Sequence, residues 1–411
     1  MEENQPTQPK EKTLTTLPAE KKEITEPESA AGVINKKDDR EAQGREKDLG
    51  SLEDLFFKPS SKNKPDYKVY VTLPPFSAYY DTITNTPVVN SIRFNSATKT
   101  SRSPKEILEF YKRNTPTKEF WIDLKCRQLR VEKDAAIPKD YLEVSHHIKV
   151  KTPAEVIFND GEASAKLVEI VGGNKLRFEP GTEEISFGKG ASLNILDDSF
   201  ETQGFFTKRD LKYIRAAKKK GMHKYMLSYV EDEKDIEELL KLDPQAEIIA
   251  KIESKKGLEF VSKSYSKYKN KVRLMAATGD LYIEVDKPHK ITNALEELIK
   301  ADPEAIVASR ILSSCKNPEK MPECNEILAV RYLLGIGYKN FMLGDEFCPD
   351  RFDLDNYVYT NKSSLPLRAA LGLLEAILKE HNAERKNTVA ASPTLIPAPT
   401  QTQATTYEVK Q

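Results

Sequence analysis

The sequence predicts an α/β chain folded as a (β/α)8 barrel with a small β insertion, and three observations predict it. Eight short β-rich runs recur along the middle of the chain, most of them separated by segments with helical periodicity. One gap, between Lys125 and Asp210, lacks that periodicity and carries turn signals instead. Both ends are poor in residues able to build a core.

The strand-like runs are KVYVTL at 68–73, SIRFN at 91–95, EFWIDLK at 119–125 and KYMLSYV at 224–230. They continue with EIIAKI at 247–252, VRLMAA at 272–277, AIVAS at 305–309 and KNFMLG at 339–344. Between them, SPKEILEFYKRN at 103–114, KRDLKYIRAAKKKG at 208–221 and DEKDIEELLKL at 232–242 place apolar residues at i, i+3, i+4 spacing. Ser103 and Asp232 read as N-caps and Gly221 as a C-terminal stop. A final helix is expected at 365–381.

The insertion is assigned to 131–193, leaving 63–130 and 194–381 for the barrel. Within it, 155–181 reads as two hairpins turning at Asn159-Asp160-Gly161 and Gly172-Gly173-Asn174. Residues 1–62 are rich in Glu, Lys, Thr and Pro, with no aromatic before Phe56 and Phe57, and read as a disordered tail. Leu55, Phe56 and Phe57 are a sticky spot within it. Residues 382–411 read as a second tail.

Lys+Arg and Asp+Glu are equal at 64 each, which leaves no net field to attract nucleic acid or an anionic membrane. Cys126, Cys315, Cys324 and Cys348 form no CxxC pair and are too sparse for a disulfide scaffold. The expectation is a cytoplasmic protein with free thiols. No apolar run approaches the ~18 residues of a membrane span, and the polar N-terminus gives no sign of secretion.

Chemistry gathers at the strand ends. Residues i and i+2 of a strand share a face, so Arg93 pairs with Asn95, Asp123 with Lys125, and Lys251 with Glu253. The sixth strand is expected to end in Thr278-Gly279-Asp280 and the seventh in Ser309. The C-terminal ends of barrel strands form the mouth, where catalytic groups collect. So many charges in one mouth need a metal or an anionic ligand to complete their pairing. Carboxylates without His or Cys suit Mg²⁺ before Zn²⁺, and fixed cations beside that metal suit a phosphoryl group.

These same stretches resemble pyruvate kinase. The resemblance is carried by KIES and, further on, MAATGDLYIE, by TPVVNSIRFN and WIDLKCRQLR, by FNDG with FGKGASLN, and by LSYVEDEKDI. It runs from about Lys68 to about His381. It implies a TIM barrel with an inserted β-barrel lid after the third strand, and a chain without the family's C-terminal effector domain. Assembly is then expected through the barrel at most, as a homodimer or a hetero-oligomer.

The resemblance also implies roles. Lys251 would be the electrophile that stabilises the enolate oxygen, and Ser309, where the family has Thr, would stand beside it as a catalytic residue. Arg93 would contact the phosphoryl group, and Gly279 and Ser309 would line the pyruvate pocket. Glu253 and Asp280 would hold Mg²⁺ or Mn²⁺. Asn95 and Asp123 would belong to a K⁺ site. Arg130 and Lys189 would reach the phosphates of ADP or ATP.

Departures from the family pattern cluster around these residues. Asn-Phe-Ser-His-Gly is here Asn95-Ser96-Ala97-Thr98-Lys99, and the Arg before Gly-Asp is Thr278. The Thr after the Asp of the third strand is Leu124, and Lys-Gly-Pro-Glu is Lys125-Cys126-Arg127-Gln128. Pro-Thr-Arg-Ala-Glu is Pro322-Glu323-Cys324-Asn325-Glu326, and Ser-Gly-Glu-Thr is Gly344-Asp345-Glu346-Phe347.

The expected function is glycolytic phosphoryl transfer from phosphoenolpyruvate to ADP, giving pyruvate and ATP. A second reading is a weak or inactive homologue that regulates an active partner. A third, a metal-dependent lyase on a pyruvate-like substrate, accounts for Glu253 and Asp280 but not for the insertion. His146 and His147 read as solvated surface, Trp121 as core, and Lys218–Lys220 as a solvated helix end.

Overall fold

The computed structural model describes residues 66–181, 184–348 and 365–390. The expected tail at 1–62, with Leu55, Phe56 and Phe57, lies outside the described residues, as does 391–411 of the second tail. Among the described residues three strands come first: β1 (Lys68–Thr72), β2 (Val89–Asn95) and β3 (Glu119–Leu124). Nine short ones follow: β4 (Ala135–Ile137), β5 (Leu142–Glu143), β6 (Ile148–Lys149), β7 (Ala154–Phe158), β8 (Ala163–Val171), β9 (Lys175–Phe178), β10 (Ile185–Phe187), β11 (Leu193–Leu196) and β12 (Glu201–Thr202). The last five are β13 (Lys224–Leu227), β14 (Glu247–Ile252), β15 (Val272–Ala277), β16 (Ile306–Ala308) and β17 (Asn340–Leu343).

Strands β1, β2, β3 and β13 to β17 close into one barrel in the order β1-β17-β16-β15-β14-β13-β3-β2. Every pairing in it is parallel. All eight lie where the β-rich runs fall.

The helices are α1 (Tyr80–Thr84), α2 (Pro104–Asn114), α3 (Lys208–Lys219), α4 (Glu233–Leu242) and α5 (Lys255–Lys263). Then come α6 (Thr278–Glu284), α7 (Ile291–Ala301), α8 (Cys324–Ile336) and α9 (Leu365–Ala390). Ser103 and Asp232 cap α2 and α4 as expected, each through a reciprocal capping box. Gly221 follows α3 at φ 68°, in the left-handed region that stops a helix cheaply. The last helix runs past His381, where the sequence pattern places its end, to Ala390.

Alternation with period two sorts each strand. One face, including Val69, Ile92, Phe94, Ile122, Tyr225 and Ile248, packs with Ile107, Tyr111, Ile214, Ile236 and Leu239 of the helices in the main core. The other face fills the barrel with Tyr70, Trp121, Met226, Ile249, Met275, Ile306 and Met342. Two residues on from this apolar layer, toward the C-terminal ends, the same face carries Thr72, Asp123, Ser228 and Lys251. The polar mouth is therefore the next layer of the barrel interior, floored by Trp121 and its apolar neighbours.

Strands β4 to β12 form three small antiparallel sheets with a second hydrophobic cluster around Val156, Phe158, Leu167 and Phe178. Both expected hairpins are present, β7–β8 and β8–β9. His146 corrects the sequence reading: it is 5% exposed, buried in this region, while His147 is exposed. Lys220 is a second correction, since its side chain is only 12% exposed and pairs with Glu109.

Candidate active site

Lys251 and Glu253 do share a face at the end of β14, with Nζ 3.0 Å from Oε1. Lys251 also donates to Ser228 Oγ at 3.0 Å and lies 3.7 Å from Asp123 Oδ2. Burial works against the Lys251 charge, but Asp123 and Glu253 outweigh it and raise the pKa. The ammonium is thus a fixed, nearly dry positive charge.

Asp123 is fully buried beneath it. Its Oδ2 accepts from Arg93 Nε at 3.0 Å and from Arg93 Nη2, and lies 3.3 Å from Lys125 Nζ. Burial opposes its ionisation, yet Lys125, Lys251 and Arg93 hold the carboxyl far below the usual range. Burial in turn brings Lys125 down to about 8, against the pull of Asp123. The backbone of this turn is anchored by Asp210 at the start of α3, which accepts from the N–H of Lys125 and of Cys126, each at 3.0 Å. Those bonds hold Cys126 at φ 46°, a left-handed conformation that glycine would adopt without strain.

The second carboxylate, Asp280, is placed by a helix rather than a strand end. β15 stops at Ala277 and α6 begins at Thr278, so Asp280 lies in the first turn of α6. Sequence reading missed the residue that joins the two carboxylates. Tyr229, at φ 52°, donates its backbone N–H to Glu253 Oε2 at 2.7 Å and its phenol to Asp280 Oδ1 at 2.9 Å. A left-handed non-glycine residue is costly and persists where the surroundings over-determine it. The run LSYVEDEKDI marks the place, but no spacing rule predicts the turn.

Burial pushes the carboxyl of Glu253 up to about 7; Lys251 opposes this and Asp280 adds to it. Burial likewise pushes Glu284 on α6 up to about 7. A cation at Glu253 and Asp280 would relieve this crowding of acids. Among the described residues no group of three or more His, Cys, Asp and Glu forms a metal site. Two protein carboxylates suit Mg²⁺, which keeps waters and takes further oxygens from a phosphorylated ligand. The pair fits such an ion.

The Asn95 and Asp123 pair does not fit a K⁺ site. Asn95 Oδ1 accepts from Ala97 N–H at 3.0 Å, its amide donates to Asp345 Oδ2 at 2.9 Å, and Asp123 already faces three cations. Gly279 leaves room for Ser309, whose Cβ would lie 3.4 Å from any Cβ added there. Ser309 itself has φ 67°, and its carbonyl accepts from Thr278 at 2.7 Å. Arg130 donates to Gly190 O at 3.0 Å and to Gln128 Oε1 at 2.6 Å, and Gln128 donates to Asp280 at 3.4 Å. Asn194 of β11 donates to the Tyr229 phenol and to Glu284. Lys189 is exposed; its backbone N–H donates to Asp134.

No family model matches the chain. A pyruvate kinase of Methanocaldococcus jannaschii is 25% identical to it over 316 residues, covering 72% of this chain and 68% of that one. That supports a divergent relationship to pyruvate kinase. Among the described residues no helix is long and apolar enough to cross a membrane.

Proposed function

We propose that the barrel mouth transfers a phosphoryl group between phosphoenolpyruvate and ADP. The observation that carries this reading is the arrangement of Lys251 between Glu253 and Asp123, with Tyr229 tying Glu253 to Asp280. In the forward direction an ADP oxygen attacks phosphorus, the bond to the enol oxygen breaks, and a proton added at carbon completes pyruvate. Negative charge then develops on the enol oxygen. Lys251 is a preorganised cation for it, held in place by Ser228 and desolvated by the barrel floor. A divalent cation on Glu253 and Asp280, Mg²⁺ or Mn²⁺, would neutralise charge on the phosphoryl and enol oxygens.

Arg93 is read as the phosphoryl contact, and Gly279 and Ser309 as the wall of the pyruvate pocket. Arg130, already tied to Gln128 beside Asp280, and Lys189 are read as reaching the nucleotide. The strands from β4 to β12 are read as a lid, since Asn194 joins them to Tyr229 and Glu284. Lys125 Nζ already lies 3.3 Å from Asp123 Oδ2, so no monovalent-cation step is assigned.

One observation favours the second reading, a weakly active homologue that acts on a partner subunit: Arg93 already carries the carboxylate of Asp345. A coupled assay for pyruvate from phosphoenolpyruvate, ADP and Mg²⁺ tests the first reading. Metal-dependent turnover supports it. Background rates in the purified chain, with the fold intact, leave the second.

A further inference from the structure

Arg93 and Asn95 end β2 on the inward face, and both donate to one carboxylate from the loop after β17. Asp345 Oδ2 accepts from Arg93 Nη1 at 2.7 Å and from Asn95 Nδ2 at 2.9 Å. Arg93 Nη1 also donates to Thr72 Oγ1 at 2.8 Å, while Nε and Nη2 donate to Asp123. Four of the five guanidinium N–H bonds therefore have acceptors inside the chain.

The two carboxylates on Arg93 differ in depth. Asp123 is wholly buried below the guanidinium, whereas the Asp345 side chain is 21% exposed and covers it from the open side. Asp345 follows Gly344 and opens a single 3-10 turn, Asp345–Phe347, whose Phe347 and the next residue, Cys348, are buried, so only its side chain need move to uncover Arg93. Asp123 is shared with Lys125 and Lys251, so the buried guanidinium calls for a second anion on its open side. Asp345 is the contact that an incoming anion would have to replace.

We infer that Asp345 is a built-in anion occupying an oxyanion subsite formed by Arg93, Asn95 and Thr72. The ligand class is a phosphate-type oxyanion, which takes the same donors in the same bidentate manner. A tethered carboxylate competes at an effective concentration far above that of a free ligand. The wild-type chain therefore holds this subsite closed until the ligand displaces Asp345. This rests on the reading of Arg93 as the phosphoryl contact and adds the group that closes it; its readout is phosphate binding and not turnover, so the two can fail separately.

The test titrates the purified chain, Asp345→Asn and Asp345→Gly with inorganic phosphate by calorimetry, without nucleotide or metal. Removing a competing charge-assisted bond should tighten phosphate binding by roughly tenfold or more in both variants. Adding Arg93→Met to Asp345→Asn should abolish the gain. Folded variants that bind phosphate no better than wild type would overturn the inference, as would a gain that survives Arg93→Met. Asp345→Asn keeps the shape of the turn, so a misfolded Asp345→Gly still leaves one decisive variant.

Discussion

The phenol of Tyr229 donates to Asp280 Oδ1 at 2.9 Å while the N–H of the same residue donates to Glu253 Oε2. One residue thus sets the spacing of two carboxylates from different places, Glu253 just past the end of β14 and Asp280 in α6. Partners of this kind, one step out from a metal, typically contribute about 10–100-fold to metal affinity. Tyr229→Phe keeps the ring and the backbone bond and loses only the bond to Asp280. Mg²⁺ affinity of the folded chain, measured by titration, should fall by about tenfold. An unchanged affinity would take Asp280 out of the metal site or Tyr229 out of its support.

Arg127 ties the loop after β3 to the start of α4. Its Nη2 donates to Asp235 Oδ1 at 2.7 Å, and its Nη1 to Asp235 Oδ2 at 2.9 Å and to Tyr229 O at 2.8 Å. Asp235 is buried and is also the third-residue partner of Asp232 in the capping box of α4. Removing one partner of a buried pair strands the other, which costs roughly 3–5 kcal/mol. Arg127→Met should lower unfolding stability by about that amount in urea titrations. A loss below about 1 kcal/mol would rank this pair with surface ion pairs.

The barrel was legible because its signal is local and repeated: eight apolar runs, each with its own turn residues. Lys251 and Glu253 were legible for the same reason, since period two alone puts both on one face. Asp280 was placed on a strand end because α6, seven residues from Thr278 to Glu284, is too short to show helical periodicity. Asp345 was visible only as a departure from a family pattern. Its contact with Arg93 spans 252 positions, and no local rule brings the two together. His146 looked like surface because its burial depends on how the small sheets pack, which sequence spacing does not encode.

That burial has a pH consequence. His146 is buried with Nδ1 3.0 Å from Ser145 Oγ, and desolvation lowers its pKa, with Arg127 acting the same way and Asp210 opposing. A histidine in the unfolded chain titrates near about 6.5. The unfolded state therefore takes up the proton first as pH falls, and stability falls with it. The contribution is whole above about 6.5 and is lost as pH drops through the folded-state value. Between about pH 7.5 and about pH 5, wild type should lose more stability than His146→Gln, measured by denaturation midpoints. Parallel losses in both chains would show that His146 does not titrate on unfolding.

The last prediction bears on Lys251 and separates an enzyme from a regulatory homologue. Its ammonium is held by Ser228, Glu253 and Asp123 in a setting that water scarcely reaches. A preorganised donor aimed at developing negative charge is worth about 10²–10³ in turnover. Lys251→Met keeps the length of the side chain and removes the charge. In an active chain, pyruvate formation should fall by at least about 10². Phosphoenolpyruvate binding should weaken far less, because a metal on Glu253 and Asp280, and Arg93 once the ligand displaces Asp345, would still hold the ligand. In a regulatory chain the wild type is already at background and the substitution changes no rate. Brisk turnover in both wild type and Lys251→Met would refute the role assigned to Lys251, because the charge at the end of β14 would then lie away from the reacting oxygen.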